Sequence, residues 1–549
     1  MASPVARRRL RAPEADRGKL IEPPRSDWAL LIRENQSSLA KSRLKVLGQP
    51  IAELVAEARR ALVELARRHT SQYTSVDMTC GDVAQRPILL AGHQPEMFHP
   101  GVWYKNFALA GAAATAGATA INLLIDSDLC RRTSLAVPAG DAQHPHVQRV
   151  PFDTAQSAVP FEERAVIDAH AFGSFAQRVQ DCLGPLVESP LIEDYWPRVV
   201  TNWQRGCTLG AALAAARHQL ESEWILQQRG APTWEVPISD LCDTPAFARF
   251  AIDIAAALPQ FAAAYNGALT SYRQAHKLRN SAQPVPDLVT PESPAGAGWS
   301  EAPFWVWAAD RPARLPLFAR HSSQGLVLSD RQAWEATVPD PAKHPVEAVE
   351  AFAELRTRGA KIRSRALTTT LFARLILGDL FIHGIGGGKY DEVTDAIIDR
   401  FYGEVPPRYA IVSATARLPI AVPPVRDERL REIRCELRDL TYHAEKYAAG
   451  ELSPEQRAQR EAAISSKRDW IETPQTSANA GQRHAGIVAA NRALQPFVAP
   501  RREQLESQIA VVQRQSRAAK IFLSREYAFC LHPKQSLQDL LLDAIGTVS

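Results

Sequence analysis

No Cys-x-x-Cys pair occurs in this 549-residue sequence, and its seven cysteines, at 80, 130, 182, 207, 242, 435 and 530, follow no regular spacing. Neither a zinc module nor a disulfide framework is expected. The N-terminus is rich in Arg and Pro and has no apolar core, so no signal peptide is expected and the chain is placed in the cytoplasm. The body also lacks an excess of either charge. Arg7, Arg8, Arg9, Arg11, Arg17 and Lys19 oppose only Glu14 and Asp16, so residues 1–20 carry +4, the same as the whole chain. Residues 21–549 are therefore neutral, which argues against nucleic acid as a partner of the body and leaves a basic tail, expected to be disordered over 1–25. One run, Phe107 to Ile125, has no charge over 19 residues, long enough to suggest a membrane span. Gly111, Thr115, Gly117, Thr119 and Asn122 interrupt it and alanine dominates, so a buried helix and strand are expected instead, with no membrane partner.

Arg374 to Arg417 is the most informative stretch. Leu375 to Ile382 reads as a buried strand, His383-Gly-Ile-Gly-Gly-Gly-Lys389-Tyr390 as a glycine loop, Asp391 to Arg400 as a helix and Tyr409 to Thr415 as a second strand. Gly384, Gly386, Gly387 and Gly388 allow close backbone approach and can turn N–H groups toward one point ahead of a helix N-terminus. Such a loop suits a phosphate or carboxylate with Lys389 as counter-charge. It matches neither a Walker A loop, which needs glycine at 383 and Ser or Thr at 390, nor a dinucleotide fingerprint, which needs glycine at 389. The alternative is a tight turn in which Asp391 caps the helix.

A second unit of the same kind lies at 87–125. Pro87 to Gly92 reads as a strand, 93–101 as a polar loop, Val102 to Ala116 as a helix stopped by Gly117, and Thr119 to Ile125 as a strand ending in Asp126-Ser-Asp128. If these strands are parallel, His93, Gln94, Asp126 and Asp128 share the carboxyl edge of one sheet with His383 and the glycines, where open α/β sheets bind ligands. His93 or His383 would serve as general base, a task that needs a pKa near neutrality. Each residue has a plainer alternative: His93 and Gln94 could bond the turn backbone, and the aspartates could cap turns. A metal is not expected. Lys105 opposes the dipole of its helix, which fits contact with an anion.

These residues carry a resemblance. Leu90 to Phe98 with Gly101-Val-Trp-Tyr-Lys105, Ala264 to Arg273, Arg365 to Gly388 and Ser413-Ala-Thr415 resemble, in this order, segments of the cysteine-adding enzymes of bacillithiol synthesis. His93 replaces that family's first glutamine, Asp126-Ser-Asp128 is shorter than its acidic cluster, and Gly386-Gly-Gly-Lys389 departs from its glycine segment. The resemblance implies an enzyme that joins an amino acid or amine to a small anionic acceptor, with Ser413 on the substrate side, and a homodimer formed through a C-terminal coiled coil. Cofactor use stays open.

The expected fold is α/β, a Rossmann-like core of two βαβ units with a helical insertion and a C-terminal antiparallel coiled coil. Its expected segments are the tail at 1–25, a first half at 26–155, a helical insertion at 156–285, a second half at 286–424 and a helical domain at 425–549. Ile51 to Arg68 is amphipathic, and Thr244-Pro245 starts a helix. Phe304 to Trp307 and Arg314 to Arg320 read as a hairpin, its Trp pair as core rather than ligand platform. After Pro423-Pro424, Leu430, Ile433, Leu437, Leu440, Ala444 and Tyr447 form one seam and Leu505, Ile509, Val512, Ser516 and Ala519 another. Gly450 and Ser453-Pro454 are expected to end the first of these helices, and Pro474, Pro496 and Pro500 to break the later ones. A binding or scaffold protein without catalysis is the second functional reading.

Overall fold

The computed structural model describes residues 10–74, 86–228, 231–422, 427–447 and 451–546; Arg7 to Arg9, Cys80, Pro423-Pro424 and Gly450 lie outside them. The fold is mixed α/β and about 53 % helical. In chain order the strands that matter are β1 (Lys19–Glu22), β2 (Ile88–His93), β3 (Thr119–Leu124), β4 (Thr233–Pro237), β5 (Ser300–Ala308), β6 (Arg311–Ser322), β7 (Gly325–Ser329), β8 (Glu335–Val338), β9 (Ala360–Ser364), β10 (Leu380–His383) and β11 (Tyr409–Ala414). The main sheet has six strands in the order β1-β11-β10-β2-β3-β4. All neighbours are parallel except β1, which pairs antiparallel with β11.

Strict alternation places this sheet between two layers. Ile88, Leu90, Ile121, Leu123, Trp234, Val236, Phe381, Tyr409 and Ile411 join one core with Leu54 and Leu62 of α1 (Ile51–Thr70). The intervening Asn122 turns the other way, toward α2 (Pro100–Ala116) and α3 (Leu209–Gln227). Both faces are covered, as a parallel sheet requires. The helix α4 (Ile385–Ile397) follows β10 with only Gly384 between them. It lies so close to the sheet that a Cβ on Gly388 would sit 2.6 Å from Ile411 Cδ1. Gly117 ends α2 in the left-handed region, as its position predicts.

A second, antiparallel sheet runs β8-β7-β6-β5-β9. Its β5–β6 hairpin is the expected one, with Trp305 opposite Pro316. Thr244 caps the helix that starts at Pro245, its Oγ1 accepting from Phe247 N–H at 3.2 Å.

Several expectations need correction. The tail is not disordered through residue 25: Lys19–Glu22 pairs with Ala414–Ile411 as an edge strand. Sheet pairing, which tail composition does not report, supplies its order. The 156–285 segment is not purely helical, because Thr233–Pro237 adds the sixth strand beside β3. Residues 373–377 form a π-helical turn, and the strand begins only at Leu380. The glycines do not form a loop: Gly386, Gly387 and Gly388 lie in the first turn of α4. By contacts the chain divides into two compact units, one of residues 1–137, 149–418 and 525–549, the other of 138–148 and 419–524. The last 25 residues therefore leave the expected 425–549 domain.

In the second unit, α5 (Asp427–Tyr442), α6 (Pro454–Glu472) and α7 (Ala480–Phe522) share a core made by Ile433, Leu440, Ala444, Ala463, Leu494, Val498 and Leu505. Leu437, Tyr447, Ile509 and Val512 of the expected seams pack against it. Ser453 and Gln456 make a capping box that starts α6. Pro496 and Pro500 do not break α7, which runs 43 residues through both. Each proline removes one backbone bond, but burial of Leu494, Val498 and Leu505 on either side holds the helix together. Among the described residues no single helix is long and apolar enough to cross a membrane, and 245–256 with 258–276 pass that test only as a pair bent by 87°.

Candidate functional site

Strand order reverses between β2 and β10: from β2 the chain moves outward to β3 and β4, then returns to lay β10 on the other side of β2. At such a reversal the connections leave in opposite directions and open a crevice at the carboxyl ends. His93 and Gln94 follow β2 there, Gly384 follows β10, and Asp126 and Asp128 follow β3. The shared edge expected from the sequence is present.

Gln94 donates from Nε2 to Asp128 Oδ2 at 2.9 Å, and Arg314 donates from Nη1 to Asp128 Oδ1 at 2.8 Å. Burial pushes the Asp128 carboxyl up, but these two bonds and the Arg314 charge outweigh it and hold the group below its ordinary range. Asp126 behaves oppositely. Burial, with Glu162 nearby, raises it to about 7 against the bonds from Ser239, whose Oγ lies 2.5 Å and whose N–H 3.0 Å from the carboxylate. Of the expected site residues, Asp126 is the acid group with a proton affinity matched to neutral pH.

His93 does not fit the role of base. Burial and the Lys105 charge push His93 down to about 3, leaving a neutral, weakly basic ring edge-on to Phe98 at 4.9 Å. His383 is only 4 % exposed and is packed against Phe381 and Tyr409. Its Nε2 lies 2.7 Å from Asp391 Oδ2, which also accepts from Arg374 Nη1 at 2.7 Å. Burial opposes ionisation of Asp391, yet Arg374 and His383 keep its carboxyl well below the usual range. His383 thus ties β10 to α4, and Asp391 is a partner for two side chains rather than a cap.

Lys105 is also displaced from its expected role. It is buried and donates to the Gly92 carbonyl at 2.5 Å. Burial and Arg217 lower its amine to about 7, with Glu221 opposing. Lys105 sits above a polar network that nothing in the sequence pattern announced. Glu221 accepts from Arg217 at 2.6 Å, from Trp103 and Asn106 at 2.9 Å and from Thr233 at 3.0 Å, and Arg217 also pairs with Glu235. Arg217, Glu221 and Glu235 come from the segment read only as helical insertion.

Gly384, Gly386 and Gly387 present the N-terminus of α4 at the crevice, and a Cβ on Gly384 or Gly386 would meet nothing within 4 Å. Gly388 is packed against β11 and faces no ligand. Lys389 is half-buried and, among the described residues, makes no ion pair. Ser413 is buried at the end of β11, where Arg525 approaches its Oγ at 3.4 Å.

No family model matches the chain, and no curated protein matches it. The site therefore has to be judged on its own geometry. Among the described residues no group of His, Cys, Asp or Glu could hold a metal ion. A separate, narrow hollow lined in part by Asn35, Arg59, Arg374 and Asp379 lies at the amino edge of the sheet. Its polar groups pair largely with one another, Arg59 with both oxygens of Asp379 and Asn35 with the Asp379 and Arg408 carbonyls, while Arg59 Nε and Arg374 Nε are buried without an acceptor. That hollow reads as architecture.

The five-stranded sheet brings arginines to a tryptophan that the sequence reading took as core. Arg314 and Arg365 lie over the Trp305 ring at 4.4 and 4.1 Å. Trp305 is half-buried, whereas Trp307 is core and donates to Glu163 at 2.9 Å. The period-2 alternation of Trp305 and Trp307 was the available signal, since both stand on the face opposite Phe304 and Val306.

Proposed function

We propose that this chain is a carbon–nitrogen ligase-like enzyme with a Rossmann-like core, which joins an amino acid or amine to a small anionic acceptor. The observation that carries the reading is the strand-order reversal, where Gln94, Asp126, Asp128 and the start of α4 meet one edge of the sheet. A protonated amine is not a nucleophile, so the site needs a group that accepts its proton near neutral pH. Asp126, at about 7, suits that task better than His93. Gln94 and Asp128 orient the acceptor, and the start of α4 closes the same edge of the site. The similarity to the cysteine-adding step of bacillithiol synthesis supports this substrate pairing.

The test is metabolite profiling of a strain lacking the gene, with attention to low-molecular-weight thiols. Loss of one such thiol and accumulation of its amine or acid precursor is the expected result; an unchanged profile sinks the reading. In vitro, Asp126→Asn should lower kcat while leaving acceptor affinity intact.

The second reading, an anion-binding protein without catalysis, gains support from the weak basicity of His93. Acceptor binding without turnover of any amine would favour it. In either reading α5 to α7 act as an antiparallel coiled-coil arm through which a cytoplasmic homodimer forms. Val488 and Val511 of α7 are exposed apolar residues at 41 % and 40 %, so Val488→Asp with Val511→Asp should convert dimer to monomer in sedimentation. A wild-type monomer at micromolar concentration would end the dimer proposal.

A further inference from the structure

The β5–β6 hairpin and the end of β9 place two like charges against one ring. Trp305 stands on the central strand β5, with Arg314 from β6 on one side and Arg365 just after β9 on the other. Both guanidinium carbons lie within 4.4 Å of the ring centroid. Stacking uses the flat face of a guanidinium and leaves its N–H edges free for in-plane acceptors. Those edges are only partly used. Arg365 donates from Nε to the Phe304 carbonyl at 3.2 Å and pairs through Nη1 with Glu301 at 2.7 Å. Its Nη2 is buried and finds no acceptor. Arg314 spends Nη1 on Asp128 and on the Ser127 carbonyl at 3.1 Å. Burial lowers the Arg314 pKa, and the Arg131 and Arg365 charges add to that against Asp128. Arg314 pairs with Asp128 and Arg365 with Glu301, and each guanidinium keeps further N–H groups beyond its acid partner. A buried donor without an acceptor costs about 1–3 kcal/mol, which is a poor arrangement for a purely structural cluster and a good one for an oxyanion. The cluster joins the crevice directly, since Asp128 bonds both Gln94 and Arg314.

We infer that the carboxylate or phosphate of the acceptor is held by the N–H edges of Arg314 and Arg365 against Trp305, rather than by Lys389 at the start of α4. This rests on the proposal that the crevice takes an anionic acceptor. The forked geometry of arginine reads two oxygens of one group at once, so the subsite selects acceptors that end in a planar carboxylate or a phosphoryl group.

Calorimetry on the full chain at low salt tests it, with inorganic phosphate, succinate and glucose 6-phosphate as probes. At least one probe should bind the wild type. Arg314→Gln and Arg365→Lys should each weaken that binding tenfold or more. The lysine keeps the charge opposite Glu301, so Arg365→Lys should fold even if a neutral replacement does not. Arg320→Gln, which removes an arginine stacked on Trp299 at 4.3 Å on the same sheet, should change affinity less than twofold. Succinate binding alone assigns a carboxylate, phosphate and glucose 6-phosphate together a phosphoryl group; either supports the subsite. Unchanged affinity in both arginine variants overturns it. Loss of binding in Lys389→Ala with the arginine variants unaffected overturns it too, and moves the anion to α4 while the crevice reading survives. If no probe binds the wild type, the anionic-acceptor reading itself fails.

Discussion

The two strand–helix–strand crossovers have one topology and offer different chemistry. In the first, six residues separate β2 from α2, and that loop carries Gln94 toward Asp128. In the second, only Gly384 separates β10 from α4, so the backbone itself reaches the crevice. The support beneath them differs as well. Under the first crossover, Trp103, Asn106 and Arg217 converge on Glu221; under the second, His383 and Arg374 converge on Asp391. Each crossover is thus anchored by one buried carboxylate with a cationic partner. A long loop provides side chains to a ligand, and a short one provides peptide dipoles.

The sharpest way to break this parallel is at the anchors. Glu221→Ala leaves Arg217 with Glu235 alone and strips acceptors from Trp103 and Asn106. Loss of a buried charge partner costs about 3–5 kcal/mol, so chemical denaturation should show a deep loss of stability. Asp391→Ala should cost less, about 2 kcal/mol, because Arg374 keeps Asp395 at 2.6 Å and the Pro407 carbonyl. Equal losses at the two sites would mean that Asp395 does not share the charge.

The glycines of α4 sharpen the comparison further. Gly388→Ala forces a Cβ against Ile411 and should destabilise by on the order of 1 kcal/mol through overpacking. The carboxylate beside the first crossover predicts a pH effect of similar size. Folded Asp126 holds its proton to about 7, whereas an unfolded aspartate releases it near about 3.9. Between these values the folded chain binds more protons, so stability falls as pH rises through that window. After allowance for its partial exposure the effect is on the order of 1 kcal/mol. Melting of Asp126→Asn from pH 4 to 7 should show a flatter profile than the wild type; an identical slope would remove Asp126 as the titrating group. The smallest change is a gain. Gly386 is helical, exposed and has open space at its Cβ position, so Gly386→Ala should stabilise by about 0.5–1 kcal/mol. If ligand affinity falls as stability rises, the glycine serves the crevice rather than the helix.

Much of this was legible in local pattern. Alternation and apolar runs located β2, β3 and β11, Gly117 marked the end of α2, and Thr244-Pro245 marked a helix start. These are short-range effects of side-chain periodicity and backbone freedom, which act over a few residues wherever the chain folds. The convergence of Gln94, Asp126 and Asp128 on one edge followed from strand direction alone. What failed were expectations that treated a residue type as its environment. A run of glycines reads as a loop, yet three of them pack into a helix whose closeness to β11 needs Gly388. His93 reads as a base, but burial beside Lys105 leaves its ring weakly basic. Lys19–Glu22 reads as part of a charged tail, and an open sheet edge almost 400 residues away gives it order.

By itself the amino-acid order determined the α/β class, a good part of the elements and which residues could reach the carboxyl edge. Only the tertiary structure decided which of them are free to act there. Proton affinity and hydrogen-bond satisfaction depend on what lies within a few ångströms, and those neighbours come from distant parts of the chain. Glu221 beneath Lys105, Ser239 and Glu162 around Asp126, and Arg314 with Arg365 against Trp305 are all such meetings, and sequence spacing carries no record of them.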